Sequence, residues 1–199
     1  MNATLYKGAF FKVMILMFLI LIMFLLAISA KKKQEETEAG IHNGNVAVSI
    51  TWPNGDTDVD LWVMGPGELV PVGYSNMGGL KWNLVRDDLG SKNDPVDTNF
   101  ETAYERGVAT GEYTVNVHCY RCNVVPVPVR VEVRVNRFVI NTVYPKGHWE
   151  GKTIFTGNVI LKQAGQERTA VNFRMDKDGN IQTETMNNVY HPLRDIKGK

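Results

Sequence analysis

Asn54, Asp56, Asp58 and Asp60 stand two residues apart in "NGDTDVDLWVMGPGE", residues 54 to 68. Carboxylates at that spacing can ligate a hard cation, act as an acid–base pair, or line the wet face of a strand. In a strand alternate residues share a face, so Asp58, Asp60 and Trp62 should point one way and Val59, Leu61 and Val63 into a core. Like charges on one edge repel unless water or a cation meets them. A second acidic group, "RDDLGSKNDPVD", contributes Asp87 and Asp88 and is followed by Glu101. Two readings stand side by side. In one, the carboxylates accept backbone hydrogen bonds in Asx-type turns. In the other, Asp58, Asp60, Asp87 and Asp88 ligate a structural calcium ion at a sheet edge, the only cofactor the sequence suggests. The helix–loop–helix calcium pattern does not apply, because its sixth and twelfth positions are Leu61 and Gly67 here.

The two cysteines form "CYRC", Cys119 and Cys122. Thioredoxin-type chemistry places such a pair at a helix N-terminus, which lowers the thiolate pKa, and a strand end offers no such dipole. A local disulfide, two inert thiols, and a half-site for a metal with His118 remain open alternatives. No Gly-x-Ser-x-Gly, Walker loop or His-Glu-x-x-His is present, and the chain reads as non-enzymatic. Beyond residue 39 there remain 17 basic and 18 acidic residues. That balance provides no basic field for nucleic acid.

The elements that must position these groups are strands. From Asn45 onward the apolar period is two, at Val46, Val48, Ile50 and Trp52, in "YTVNVHCY" and in "VRVEVRVN", with turn clusters at "WPNGD", "MGPGE", "MGGLK" and "MDKDGN". The pattern predicts an antiparallel β-sandwich over 45–185, with half-buried strands and a short helical period only around Phe100 to Arg106. "KQAGQERTAVNFRMDKDGNIQTET" reads as the closing hairpins, and residues 186–199 as a frayed tail.

Ahead of the sandwich, residues 13 to 30 run 18 residues without charge, Gly or Pro. At about 1.5 Å rise per residue they nearly span a bilayer core, and with their flank they predict one N-terminal transmembrane helix within residues 1–30. A charged stalk, 31–44, follows. A cleaved signal peptide is the rival reading, but the run is long for one, and Lys31, Lys32 and Lys33 would begin the mature chain. Lysine counts alone would keep the C-terminal part in the cytoplasm.

The segments "TWPNGDTDVDLWVMGPG", "RDDLGSKND", "GEYTVNVHCYR" and "VPVRVEV" are similar to the YfaP-like domain family, a bacterial and phage β-sandwich. Asp58, Asp60 and Leu61 fit its first motif, Asp87 and Asp88 its second, and Gly111, Tyr113, Val115 and Val117 its third. The resemblance covers about residues 45 to 180, and implies a sandwich held at the inner membrane with the domain outside the cytoplasm. "FFKVMILMFLILIMFLL" more weakly resembles the single helix of ExbD, TolR and MotB proteins, with Lys12 where those carry an aspartate. Two functions are therefore expected. The first is a membrane-anchored scaffold that presents the sandwich to a protein or a cell-wall glycan. The second is an auxiliary subunit of an ExbD/MotB-like energy-transducing complex. Assembly with copies of itself or with other chains stays open in both.

Overall fold

The structure, a computed structural model, describes residues 12–26, 45–91, 98–107 and 109–194. The chain divides into two compact units, 1–42 and 43–199. In the first, residues 12–26 form a helix, α1. Its residues from Val13 to Leu26 are all apolar, and all of them are exposed on every side of the helix. Fifteen residues rise about 22 Å, short of a bilayer core of about 30 Å. Among the described residues no helix is long and apolar enough to cross a membrane. The rest of the expected span and the stalk at 31–44 lie outside the described residues.

The second unit is mainly β, as the period of two predicts. Its strands are β1 (Val46–Trp52), β2 (Asp58–Met64), β3 (Trp82–Arg86), β4 (Asn99–Glu105), β5 (Gly111–Arg121), β6 (Val127–Val139), β7 (His148–Leu161), β8 (Glu167–Met175) and β9 (Ile181–Asn187). They form two antiparallel sheets in the orders β3-β4-β1-β6-β7 and β2-β5-β8-β9. The inward faces pack Val46, Val48, Ile50 and the valines of β6 against Val59, Leu61, Val63, Val115, Val117 and Phe173. Tyr113 stacks on Phe173 with ring centroids 4.8 Å apart. Because β1 and β2 lie in different sheets, "PNGDT" is a corner crossing from one sheet to the other, and not a hairpin. The connection from β7 to β8 also changes sheets, so of the expected closing hairpins only β8–β9 is one.

Three expectations are corrected. Phe100 to Arg106 is not helical, since β4 occupies Asn99–Glu105. β2 is not half-buried: every residue from Asp58 to Val63 is buried. Its outer face is covered by the 71–77 loop, where Tyr74 meets the Trp62 ring edge-on at 5.5 Å, and by the C-terminal segment. That segment, 188–194, is no frayed tail. Asn116 on β5 donates to the His191 carbonyl, His191 N–H donates to Thr169, Leu193 N–H donates to Glu167, and the Leu193 side chain is fully buried. Residues 195–199 lie outside the description.

Candidate metal centre

β2 is an edge strand, so its free N–H and C=O groups need partners at the open side of the sandwich. Val63 finds them in a two-way bridge with Val72. Leu61 N–H finds a carboxylate: Glu101 Oε2, on β4 of the opposite sheet, accepts it at 2.7 Å. The other Glu101 oxygen accepts from Asp88 N–H at 3.1 Å. Glu101 thus ties the two sheets to the acidic loop from a fully buried position. Burial holds its carboxyl well above the usual carboxylate range, opposed by the Leu61 and Asp88 N–H groups and aided by the charges of Asp60 and Asp87.

Around this residue the two acidic segments meet. One oxygen from each of Asp60, Asp87 and Glu101 lies within 4.8 Å of the others. Asp60 Oδ2 is 2.7 Å from His118 Nδ1, which leaves Oδ1 available. His118 Nε2 is 2.7 Å from an Arg194 guanidinium nitrogen. Arginine can only donate, so Nε2 accepts and Nδ1 carries the proton toward Asp60. A histidine that orients a carboxylate in this way is a typical outer support of a metal ligand. Asp87 is exposed and faces Glu101. Burial raises the Asp87 pKa, with further upward pressure from Asp60 and then Asp88 and a downward pull from Glu101.

The remaining predicted ligands separate in role. Asp88 is spent on the loop: Oδ1 accepts from Gly90 N–H at 3.0 Å, while Oδ2 accepts from Phe100 N–H at 2.9 Å and pairs with Arg86 at 3.0 Å. This is the Asx-turn reading, and Asp88 is not among the three carboxylates that converge. Asp58 is 1% exposed, and neither of its oxygens accepts a hydrogen bond. Its facing charge is Arg121, at 3.5 Å. Burial pushes its carboxyl up to about 7, Asp60 adds to the rise, and Arg121 opposes it. The corner around these groups is tight. Asn99 donates to the carbonyls of Pro53 and Gly55, Trp52 Nε1 donates to Thr57 C=O, and Ser91 N–H donates to Gly55 C=O. Gly90, at φ +73°, passes so close to Thr57 and Gly55 that a Cβ there would sit 2.6 Å from the Thr57 carbonyl oxygen.

The geometry fits a calcium ion. Oxygens bound to one ion at 2.3–2.6 Å lie at most about 5 Å apart, and Asp60, Asp87 and Glu101 meet that limit. Asp58, paired with Arg121, adds a buried carboxylate beside them. Sequence reading placed Glu101 after the acidic loop without giving it a ligand's role. The alternation held no signal for it, since the aromatic residues Phe100 and Tyr104 of β4 mark the other face.

Cys119 and Cys122 are disulfide-bonded, so the metal half-site with His118 does not form. Arg121 lies inside this four-residue ring and reaches Asp56 at 3.1 Å, the Leu89 carbonyl at 2.6 Å, and Asp58. No family model, curated protein or solved structure matches the chain.

Proposed function

We propose that the chain is a membrane-tethered, non-enzymatic binding module of YfaP-like type, with a calcium-locked sandwich held outside the cytoplasm. The observation that carries the reading is the convergence of Asp60, Asp87 and Glu101 at the β2 edge, beside the buried Asp58 carboxylate, which accepts no hydrogen bond. Calcium there would join three chain segments, β2, the acidic loop and β4, and would set the shape of one end of the domain for a protein or glycan partner. Catalysis is disfavoured because Glu101 and Asp88 spend both oxygens on backbone groups and His118 is held on both nitrogens.

The tether rests on α1. A helix apolar on every face is stable only inside a protein core or a bilayer, and the apolar run continues in sequence to Ala30. The energy-transducing alternative has less support, because residues 13–26 offer neither an ionisable group nor a small-residue stripe for a multispan partner. The disulfide favours placement outside the cytoplasm, since such bonds persist in oxidising compartments.

The test is thermal unfolding of the detergent-solubilised full chain with calcium and with chelator. At free ion a hundred times the dissociation constant, binding to the native state alone adds about 2.7 kcal/mol. At roughly 2–4 °C per kcal/mol that is a rise of several degrees in Tm. Asp87→Asn, at an exposed position, should abolish the rise while leaving the chelated protein folded. Asp176→Asn, in the exposed β8–β9 turn, should retain it. Equal melting temperatures in calcium and chelator would leave the carboxylates as loop-tying groups and end the metal reading.

A further inference from the structure

The longest strands of the domain, β6 and β7, pair from Val127↔Leu161 to Val139↔His148, with a bulge between Val133 and Arg134. β1 pairs with β6 only as far as Val46↔Val135. Beyond that point the β6–β7 hairpin runs on past the end of β1, flanked at Arg137 by the β8–β9 turn, to whose Gly179 carbonyl and Asn180 side chain Arg137 donates, at the end where the described chain enters at Asn45 and opposite the acidic corner. Asn45 and Asn136 exchange hydrogen bonds there, Asn136 N–H to Asn45 C=O and Asn45 Nδ2 to Asn136 C=O. What projects is apolar. Phe138 is 53% exposed, Ile140 67%, Val143 73%, Tyr144 48% and Trp149 43%. Scattered exposed hydrophobes need no explanation, but five large ones on a single hairpin tip do.

The tip is ordered by its own bonds. Asn141 Oδ1 accepts from both Val143 and Tyr144 N–H, and Gly147 N–H donates to Tyr144 C=O. Phe138 and Trp149 meet edge-on at 5.5 Å, and Tyr144 packs on His148 at 3.9 Å. Gly147, at φ +80°, lies where a Cβ would strike the Phe138 ring. The turn therefore satisfies several of its own backbone groups while turning its apolar side chains outward, as a segment entering a medium without hydrogen bonds must. The residues from 134 to 152 include Arg134, Arg137, Lys146 and Lys152 against Glu150 alone, in a chain whose residues beyond 39 are nearly balanced as a whole. Tyr and Trp with flanking basic residues are the side chains that settle at a lipid headgroup boundary.

We propose that the β6–β7 hairpin tip inserts shallowly into an anionic lipid surface, with Phe138, Ile140, Val143, Tyr144 and Trp149 at the acyl boundary and Lys146 and Lys152 on the phosphates. This second membrane contact is independent of α1 and of the acidic corner.

The full chain is reconstituted into vesicles of phosphatidylcholine alone or mixed with phosphatidylglycerol. It carries Val143→Cys, the single free thiol beside the disulfide, labelled with a polarity-sensitive fluorophore. The emission should shift to shorter wavelength in the anionic vesicles, become shielded from an aqueous quencher, and be quenched by a spin label on the lipid chain. Lys146→Glu combined with Lys152→Glu should lose the shift. The same label at Ser91→Cys, beside the acidic corner, should stay in water. A reconstituted protein whose Val143 label remains open to the aqueous quencher in every lipid overturns the proposal. So does a shift that follows protein concentration in detergent without lipid, which would assign the tip to a second copy of the chain.

Discussion

Tyr113 exposes a conflict in proton count that identifies one unusual carboxyl. Its hydroxyl accepts from Ala109 N–H at 3.1 Å and lies 2.7 Å from Ala109 C=O and 3.0 Å from Glu105 Oε2. One hydroxyl proton cannot serve both oxygens. The arrangement closes if Glu105 is the protonated partner and donates, so that Tyr113 can donate to Ala109. Burial, the largest cause, pushes Glu105 up to about 7, against the hydrogen bond with Tyr113 and the charge of Lys81. A carboxyl raised in the folded state binds more protons there than when unfolded. Its contribution is therefore present in full at low pH and is lost as pH rises from about 4.5 to about 7. Glu105→Gln should remove that slope, with little effect on stability near pH 5 and a gain on the order of 1 kcal/mol at pH 8. Denaturant unfolding of both proteins at the two pH values checks it, and an unchanged slope in the variant would reassign the proton.

At the scale of elements, the strand over the outer face of the second sheet is replaced by a strap. Residues 188–194 cover Asn116, His118 and Thr169, which would otherwise lie on an open sheet face. Glu167 collects Asn116 Nδ2 at 2.6 Å, Leu193 N–H at 3.0 Å and Tyr190 O–H at 3.2 Å. Leu193→Ala should cost about 2–4 kcal/mol as a buried truncation. Arg194→Met should cost about 1–3 kcal/mol by leaving His118 Nε2 without its donor. Equilibrium unfolding reads both, and a Leu193→Ala cost no larger than that of a surface change would mean that the strap does not stay docked. The strap also marks where sequence reading stopped. The inward valines of β1, β2 and β6 were legible because period two names the core face directly. The burial of Asp58, Asp60 and Trp62 was not, since their covers lie about ten residues away at Tyr74 and far along the chain at Arg194. β4 was misleading for a chemical reason. In "NFETAYE" the aromatic residues Phe100 and Tyr104 suggest the core face, yet Glu101 and Glu105 are the buried ones. Each carboxyl group has a specific partner, Leu61 N–H for Glu101 and the Tyr113 hydroxyl for Glu105, that a hydropathy pattern does not contain.

Across the whole sandwich the two ends differ in chemistry. The β1–β2 corner gathers Asp56, Asp58, Asp60, Asp87, Asp88 and Glu101, while the β6–β7 tip at the other end is apolar and basic. The Cys119–Cys122 bond belongs to the acidic end, where it closes the ring that carries Arg121. With the bond formed, Arg121 is held toward Asp56, Asp58 and the Leu89 carbonyl, and gives the acidic corner its fixed cation. Thiols in a reducing cytosol would leave that ring open. The disulfide favours the proposed placement outside the cytoplasm, whereas Lys31, Lys32 and Lys33 after the apolar run favour the opposite one. Loops and domains of this size translocate largely regardless of flanking charge, so the disulfide weighs more. A phosphatase-type reporter fused after Lys199, active only outside the cytoplasm, should be active. Cys119 and Cys122 in the same cells should resist a thiol reagent until a reductant is added. A reporter active only in the cytoplasm, together with freely alkylated cysteines, would place the domain inside and return the lysines to their usual authority.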